Sequence, residues 1–374
     1  MVKKIALFIL ASFMAIIGYS AYLWVTQPVL IAPLPYHVDV DYKNESDIAE
    51  AAHVLILGDR LGDSLKSYIP KMITNLSENL QEPLRIVNWS SPHESLGRSL
   101  AKLKSLKVLP KMIIYLGASE EFYEKRFEIK DSEKILENVK KFRQENISTL
   151  LYTFPPISKL IYAPVEFLTL GSTIKEDPGD LDSRLQQQKM EVTFNLFEVE
   201  LDEFIAYTKE KGSHLVLVTA PLNLEVNPRK ACANSTTESL ETYQRSLKKS
   251  LDSGAHKAVL NEVRKLSETS IGNAVTYHLL GRSSLGSGFY EEARRAFINA
   301  AAYDCGNWRA HPVFNSLIKS KSKISGNAVI DFDEIVNRHL GLNELFLSDH
   351  FPQNIYYDHF IEELELAIKV KFKL

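Results

Sequence analysis

The sequence predicts an α/β fold in which a parallel sheet of about five strands lies between layers of helices. Two observations predict it: short strand-like runs alternate with amphipathic helical patterns, and two further helical segments exceed what a minimal sheet needs. Strands that alternate with helices are typical of parallel sheets covered on both faces. A chain of 374 residues suits one large domain with insertions, or two domains.

The predicted strands are five short runs of aliphatic and β-branched residues, and amphipathic patterns between them predict helices. The strand-like runs are 53–57, 84–87, 112–116, 214–219 and 328–330, and the strongest helical stripes are 63–80, 95–109 and 191–211. This order predicts a three-layer α/β/α sheet of the flavodoxin-like type. Ligands of such sheets bind beyond the carboxyl ends of the strands, so the turns there form the candidate site.

The chain begins with Lys3 and Lys4, followed by an unbroken apolar run at 5–25. At about 1.5 Å per residue, this run of about 21 residues is long enough for a bilayer core of about 30 Å. We expect 1–25 to form a transmembrane anchor. Its two lysines would stay in the cytoplasm, and the rest of the protein would be exported. A cleaved signal peptide and a buried core helix are the alternatives. Residues 26–50 contain three prolines and are expected to form a linker.

Charge and cysteine content exclude two classes of function. The net charge is −3, with basic and acidic residues interspersed, so no basic field for nucleic acid is expected. The two cysteines, Cys232 and Cys305, form no metal-binding pattern, so we expect no metal site and no cofactor. Outside the cytoplasm the two cysteines could pair. Otherwise they would be two separate small hydrophobic residues.

Two helical segments are additional to the sheet. The first, 122–190, has an apolar patch at 160–170 that belongs either to the core or to a surface for membrane or partner contact. The second, 236–304, has the small-residue spacing of a tetratricopeptide-like helical hairpin. Its pattern consists of Leu280, Gly281, Gly288, Ala293, Phe297 and Ala300. A second hairpin is possible between 236 and 266, and the whole segment is a candidate docking surface.

The turns after the first and third predicted strands hold the main candidate site residues. The first strand runs into Gly58, Asp59 and Arg60, where Gly58 permits a tight exit. A hydroxyl at position 60 would be a nucleophile near a helix N-terminus, whereas an arginine binds an anion or a carboxylate. The third strand runs into Ser119 and Glu120, whose carboxylate is a candidate acid or base, or a partner for Arg60.

Polar residues also follow the last two predicted strands. Asn223 comes after the fourth strand and could present its amide to the same cleft. Asp349 and His350 precede an amphipathic terminal helix, and they form an acid–base pair only if their loop bends, because neighbours on a strand point in opposite directions. The alternative is that Asp349 caps that helix.

In their order along the chain, these segments resemble the SGNH (GDSL-type) hydrolases. Residues 54–59 (VLILGD) look like the first sequence block of that family, 113–120 like the third block, and 348–354 like the fifth. The best match is to members with a tetratricopeptide-like insert, since 309–315 (RAHPVFN) looks like the segment that follows it. The resemblance implies one SGNH-like α/β domain over 51–374.

The departures from the family pattern fall on the residues that carry its chemistry. Arg60 stands where the family has its nucleophilic serine, Ser119 where it has the oxyanion-hole asparagine, and Pro352 where it has the catalytic histidine. The glycine of the second block is absent from 88–91 as well. The matching residues that remain are Gly58, Asp59, Gly117 and Asp349. The resemblance therefore implies a retained scaffold without its reacting groups.

A second interpretation keeps an active site. Residues 62–65 spell Gly-Asp-Ser-Leu, and Ser64 would be the nucleophile if the first strand continued to Leu61. His350 would then be the base, and Asp349 would orient it. Because the aliphatic run stops at position 57, we expect Ser64 to lie in the first turn of the next helix instead.

Three functional hypotheses follow from these patterns. The first is a pseudoenzyme, anchored on the periplasmic side of a bacterial inner membrane, that binds an envelope glycan, lipid or protein without conventional esterase activity. The second is an active esterase or acyltransferase that acts on envelope glycan or lipid through Ser64. The third is an anchored helical-repeat scaffold in which 236–304 recruits the partner.

Overall fold

The chain divides into two compact units in the computed structural model, which describes residues 12–15, 17–19, 21–22, 25, 27–77, 83–175, 181–230, 232, 237–306, 309–342, 344–348 and 351–374. The smaller unit consists of Met1–Asp39 with Arg126–Leu170. The larger unit consists of Val40–Lys125 with Gly171–Leu374.

The elements of both units are numbered along the chain. The strands are β1 Tyr36–Val38, β2 Val54–Leu57, β3 Ile86–Asn88, β4 Met112–Leu116, β5 Leu168–Leu170, β6 His214–Val218 and β7 Ala328–Ile330. The α-helices are α1 Lys43–Glu50, α2 Arg60–Ser64, α3 Ile69–Ser77, α4 Leu96–Ser105, α5 Ser132–Phe142, α6 Glu145–Thr153, α7 Ser158–Ile161, α8 Ser183–Glu210, α9 Glu238–Asp252, α10 His256–Thr269, α11 Ala274–Gly286, α12 Tyr290–Ala302, α13 Pro312–Ser325, α14 Phe332–Asn337 and α15 Asn354–Phe372. Short 3-10 turns lie at Leu65–Ser67, Ile129–Asp131 and Pro155–Ile157.

The larger unit contains the predicted parallel sheet. Its five strands are hydrogen-bonded in the order β3-β2-β4-β6-β7, and every neighbouring pair in this sheet is parallel. The α/β fold class predicted from the sequence is therefore confirmed. The predicted strands 112–116 and 328–330 have the observed bounds, and the other three differ slightly at their ends.

Helices cover both faces of this sheet, and alternating residues of the central strands β2, β4 and β6 enter two separate hydrophobic cores. In β2, Ile56 belongs to the core that contains Phe360 of α15, whereas Leu55 belongs to the core that contains Phe197 and Phe204 of α8. All of these side chains are buried. Burial on both faces explains why the strands read as uninterrupted aliphatic runs rather than as alternating ones.

The helical region after β2 differs from the predicted helix 63–80. Asp59 accepts a hydrogen bond from Leu61 N, so α2 begins earlier than the apolar stripe suggests. Pro70 is the second residue of α3, where a proline forfeits no helical hydrogen bond, so a new helix begins there. The predicted helix 191–211 also begins earlier, as the long helix α8.

The smaller unit pairs β1 with β5 in a two-stranded parallel sheet and adds the short helices α5, α6 and α7. Segment 26–50, where the sequence predicts a linker, contains β1 and continues into α1. The side chain of Tyr36 in β1 is buried, as in a folded element. The predicted insert 122–190 is divided as well, since 126–170 belongs to this unit whereas α8 belongs to the unit of the sheet.

The expected membrane anchor stays a prediction. Residues 1–11 lie outside the described residues, and so do several later residues of the apolar run 5–25. Among those that are described, no helix combines the length and the apolar character that a membrane span requires.

The second insert forms four helices, α9 to α12, which pack as two helical hairpins. Gly281 of α11 lies against Phe297 of α12, and a Cβ at position 281 would be 2.5 Å from its ring. Ala293 and Ala300 of α12 are buried too. The small-residue pattern of the sequence therefore corresponds to the α11–α12 hairpin, and α9–α10 is the second hairpin.

The two ends of this insert are held together at its base. Cys232 and Cys305 form a disulfide with Cα atoms 5.0 Å apart, which decides between the two alternatives for these residues. The carboxylate of Asp304 accepts hydrogen bonds from the backbone N–H groups of Arg229 and Lys230. The insert is thus closed where it leaves and rejoins the larger unit.

Candidate functional site

The candidate site lies at the carboxyl ends of β2 and β4, and its first part is the turn after β2. Gly58 has a φ of 146°, and a Cβ there would lie 1.8 Å from the carbonyl oxygen of Leu116, so only glycine fits this turn. Asp59 follows in an extended conformation and accepts a hydrogen bond from Leu61 N at 3.0 Å. The chain therefore leaves the sheet at Gly58 and Asp59, as the sequence predicts, and enters α2 at Arg60, earlier than the predicted helix 63–80.

Asp59 joins the turn after β2 to the turn after β4. Its Oδ2 accepts hydrogen bonds from Ser119 N at 2.6 Å, from Ser119 Oγ at 2.8 Å and from Glu120 N at 2.9 Å. Gly117 lies directly before this turn, where a Cβ would be 2.6 Å from Tyr115 Oη. Because both donors of Ser119 bind this buried carboxylate, neither is directed at a substrate oxygen.

Burial and a neighbouring charge raise the pKa of Asp59. Removal from water is the largest cause and the charge of Glu120 is the second, while hydrogen bonds from Leu61 and Ser119 oppose them. Together they raise the pKa of Asp59 to about 7. Asp59 therefore changes its protonation near neutral pH, although its side chain is 0% exposed.

Arg60 is held by two groups at the start of α2. Its Nε lies 2.8 Å from Glu120 Oε1, an ion pair outside hydrogen-bond geometry, and its Nη2 lies 2.7 Å from His93 Nε2. Glu120 is fully buried, whereas the Arg60 side chain is 34% exposed. Glu120 Oε2 in turn accepts a hydrogen bond from His93 N at 2.6 Å. Glu120, which the sequence indicates as a candidate partner for Arg60, is in contact with it.

His93 lies between Arg60 and Glu120. A guanidinium only donates hydrogen bonds, and its Nη2 lies 2.7 Å from His93 Nε2 and 3.3 Å from His93 Nδ1, so the imidazole is the acceptor in this contact. Nδ1 is 3.3 Å from Glu120 Oε1, and the ring stacks on Tyr123 with centroids 4.8 Å apart. Glu120, His93 and Arg60 thus form a cluster of a carboxylate, an imidazole and a guanidinium.

Further buried charges lie on α4, on the loop before α4 and on the loop after β4. Lys102 Nζ contacts Glu94 Oε2 at 2.5 Å, and the guanidinium of Arg98 pairs with Glu124. Glu121 accepts a hydrogen bond from the first backbone N–H of α4 at 2.8 Å. Burial raises the pKa of Glu94, against the lowering effect of Lys102. These contacts fasten the loop after β4 to α4.

Sequence reasoning missed His93 and the buried charges of α4. The signal for His93 was its position, because it follows β3 and the carboxyl end of β3 is next to that of β2 in the sheet. The signal for α4 was the spacing of Arg98 and Lys102, which places two charges one turn apart on a helix that buries leucines. Neither signal identifies the partner of the charge.

The candidate nucleophile Ser64 is the last residue of α2 and not, as predicted, a residue of the first turn, because the helix already begins at Arg60. Its Oγ donates to Leu61 O at 2.6 Å and lies 3.0 Å from Tyr357 Oη on α15. Burial raises the pKa of Tyr357 to about 12, so this phenol stays protonated and is no base at neutral pH. Among the described residues, no imidazole lies within hydrogen-bond distance of Ser64 Oγ.

The remaining candidate residues are Asn223, Asp349 and His350. Asn223 Nδ2 lies 3.5 Å from the carbonyl oxygen of Ser348, at the limit of a hydrogen bond. Asp349 and His350 lie outside the described residues. Within the described ranges, no group of three or more side chains suited to metal ligation converges.

No protein-family model matches this chain, and no curated protein matches it either. The chemistry of the site is therefore derived from its geometry. Arg60 is a fixed and partly exposed guanidinium, a group that binds carboxylates, phosphates and sulfates. Ser64 has no imidazole partner in the described part of the chain, whereas nucleophilic catalysis by serine requires an adjacent base.

Proposed function

We propose that this chain is a membrane-anchored, extracytoplasmic protein with an SGNH hydrolase-like fold, that it lacks conventional esterase activity and that it binds a ligand or partner of the cell envelope. The observation that carries the proposal is the position of Arg60. It is the first residue of the helix that follows β2, and Glu120 and His93 hold its guanidinium. A hydrolase of this family would need a serine there.

The topology of the sheet supports the family resemblance. Numbered along the sheet-forming strands, the order β3-β2-β4-β6-β7 is 2-1-3-4-5, the order of flavodoxin-like doubly wound sheets. The first and third sequence blocks of the resemblance end at the carboxyl ends of β2 and β4, which are neighbours. Ligand sites of such sheets lie at this edge.

The contacts around Arg60 disfavour hydrolysis at position 60. A guanidinium keeps its proton at ordinary pH and cannot attack an ester. His93, the imidazole beside position 60, accepts a hydrogen bond from Arg60 and does not face a hydroxyl there. Ser119, at the position of the oxyanion donor, directs its N–H and hydroxyl at Asp59. An enzyme without its triad retains roughly 10³–10⁴-fold catalysis over water at most.

The alternative function, an esterase or acyltransferase that uses Ser64, requires an activated hydroxyl. Ser64 Oγ donates to a carbonyl oxygen of its own helix and contacts a protonated phenol, and neither group removes a proton. The nucleophile of this alternative is therefore unactivated in the described contacts.

The disulfide supports the proposed location. Disulfides persist outside the cytoplasm, where the redox environment is oxidising. The Cys232–Cys305 bridge therefore agrees with export of the chain behind an N-terminal anchor.

An assay of ester hydrolysis tests the proposed function. Full-length chain in detergent is incubated with 4-nitrophenyl acetate and with acetylated sugars, beside the Ser64→Ala variant. We expect the two proteins to hydrolyse both substrates at the same rate, within error of the buffer rate. An enzymatic rate that disappears in Ser64→Ala, while the variant unfolds at the same temperature as the parent, would reject the proposal.

A helical-repeat scaffold is a second candidate function, favoured by the closed insert of two hairpins. Fewer than about three repeats rarely form an independent array, so this insert would act as part of the larger unit. Ile271 and Phe289 are exposed apolar side chains on it. A partner that still binds Arg60→Ala, but is lost when Ile271 and Phe289 are both changed to serine, would favour the scaffold.

A further inference from the structure

The smaller unit exposes large apolar side chains on and beside α6 and α7, where charged residues are few. Residues 146–165 contain one charged residue, Lys159. Helix α6 buries Leu151 alone among its residues. We use the name α6–α7 surface for the exposed apolar side chains of this stretch, which are Leu150, Tyr152, Phe154 and Leu160. Tyr152 is 64% exposed, Phe154 52% and Leu160 57%. Large apolar side chains exposed together mark a contact surface on a folded protein.

A segment without charged side chains packs against the same stretch. From 5 to 38 the chain contains no Asp, Glu, Lys or Arg. Leu30 N donates a hydrogen bond to Ser158 Oγ at 3.1 Å, and Tyr162 Oη donates to Ile31 O at 2.7 Å. Within a few residues of the end of the apolar run, the backbone is therefore hydrogen-bonded to both ends of α7.

The length of this connection limits how far the α6–α7 surface can be from a bilayer. Leu30 follows Val25, the end of the apolar run, by five positions, which extend over about 17 Å at most. If the run spans the membrane, α7 is held within that distance of the interface. Tyrosine, phenylalanine and leucine are side chains that the interface between a membrane and water favours.

We propose that the α6–α7 surface lies on the headgroup region of the membrane that holds the N-terminal anchor. The proposal depends on the proposed anchoring and adds a second contact with lipid, formed by a folded surface. The ligand is the bilayer itself, and the contact fixes the orientation of the smaller unit on it.

Spin labelling of the full chain in vesicles tests this proposal. The two native cysteines are paired, so a cysteine introduced at Phe154 or Leu160 is the only free thiol. Glu133, an exposed residue of α5, provides the matched control position. Each labelled protein is reconstituted into vesicles of phosphatidylethanolamine and phosphatidylglycerol, and collisions with oxygen and with a water-soluble nickel complex are measured.

We expect the labels at 154 and 160 to collide several-fold less with the nickel complex than the label at 133, and at least as often with oxygen. Labels at 154 and 160 that collide with nickel as often as the label at 133 would overturn the proposal. Labels shielded from both reagents, with dipolar broadening, would show a contact between copies of the chain and overturn it too.

Flotation of the same samples separates this proposal from the anchor. Protein that floats with the vesicles, but whose labels remain in water, would leave the anchor intact and reject the α6–α7 contact. Protein that stays at the bottom of the gradient would reject the anchor and, with it, the contact that depends on it.

Discussion

Changing both Cys232 and Cys305 to serine is expected to lower the free energy of unfolding by about 2–5 kcal/mol. The bridge joins residues separated by 73 positions and encloses α9 to α12. Without it, the unfolded chain regains the entropy of a long open loop, for which the chain-entropy relation gives about 4 kcal/mol. The measurement is urea-induced unfolding of the full chain in a non-ionic detergent, followed by far-ultraviolet circular dichroism.

Reduction of the parent protein provides the matched control. Dithiothreitol should shift the unfolding midpoint of the parent to that of the double-serine variant and leave the variant unchanged. A parent whose thiols become reactive to iodoacetamide, yet whose midpoint stays the same, would show that the bridge does not stabilise the insert.

Replacing Asp59 by alanine is expected to cost at least about 3 kcal/mol. The substitution leaves three backbone N–H groups without their acceptor, those of Leu61, Ser119 and Glu120. All three residues are buried, and each unsatisfied buried donor costs about 1–3 kcal/mol. The same urea titration measures the loss.

Asp63→Ala is the matched control, because Asp63 is a carboxylate on the same short helix. Its ion pair with Lys66 is partly exposed, so its loss should cost under about 1 kcal/mol. Equal losses for Asp59→Ala and Asp63→Ala would contradict the role given to Asp59 as the link between the two turns.

The raised pKa of Asp59 adds a dependence on pH to this comparison. Its pKa is about 7 in the folded chain and about 3.9 when unfolded, so the folded state keeps its proton over that interval. The stabilisation is therefore complete below about pH 4 and is lost as the pH rises through about 7. Relative to Asp59→Asn, the parent should be less stable at about pH 8 than at about pH 5. A difference that does not change with pH would refute the assignment.

The sheet could be predicted because its strands are buried on both faces. The runs around Leu55 and Ile113 are uninterrupted aliphatic segments, a pattern that solvent-exposed elements lack. β1 and β5 could not be predicted, since each has three residues and is stabilised by a partner far away in the sequence. The prolines that precede β1 led to the prediction of a linker. A local pattern such as this carries no information about a distant strand partner.

The candidate site could be predicted in part. Arg60 and Glu120 follow adjacent parallel strands, so their pairing is a consequence of strand order. His93 could not be assigned, because its contacts depend on a left-handed turn, with φ of 62°, that no local residue type requires. The partner of Ser64 was hidden as well, since Tyr357 comes from the terminal helix.

The central claim is that Ser64 is an ordinary helical serine because the helix after β2 begins at Arg60. Treatment of the full chain with a fluorophosphonate, which forms a covalent bond with activated serines, tests it most directly. Intact-protein mass spectrometry should then detect the unmodified mass, under conditions that label a serine hydrolase completely. A single phosphonate adduct that maps to Ser64 by peptide sequencing, and is absent from Ser64→Ala, would contradict the account.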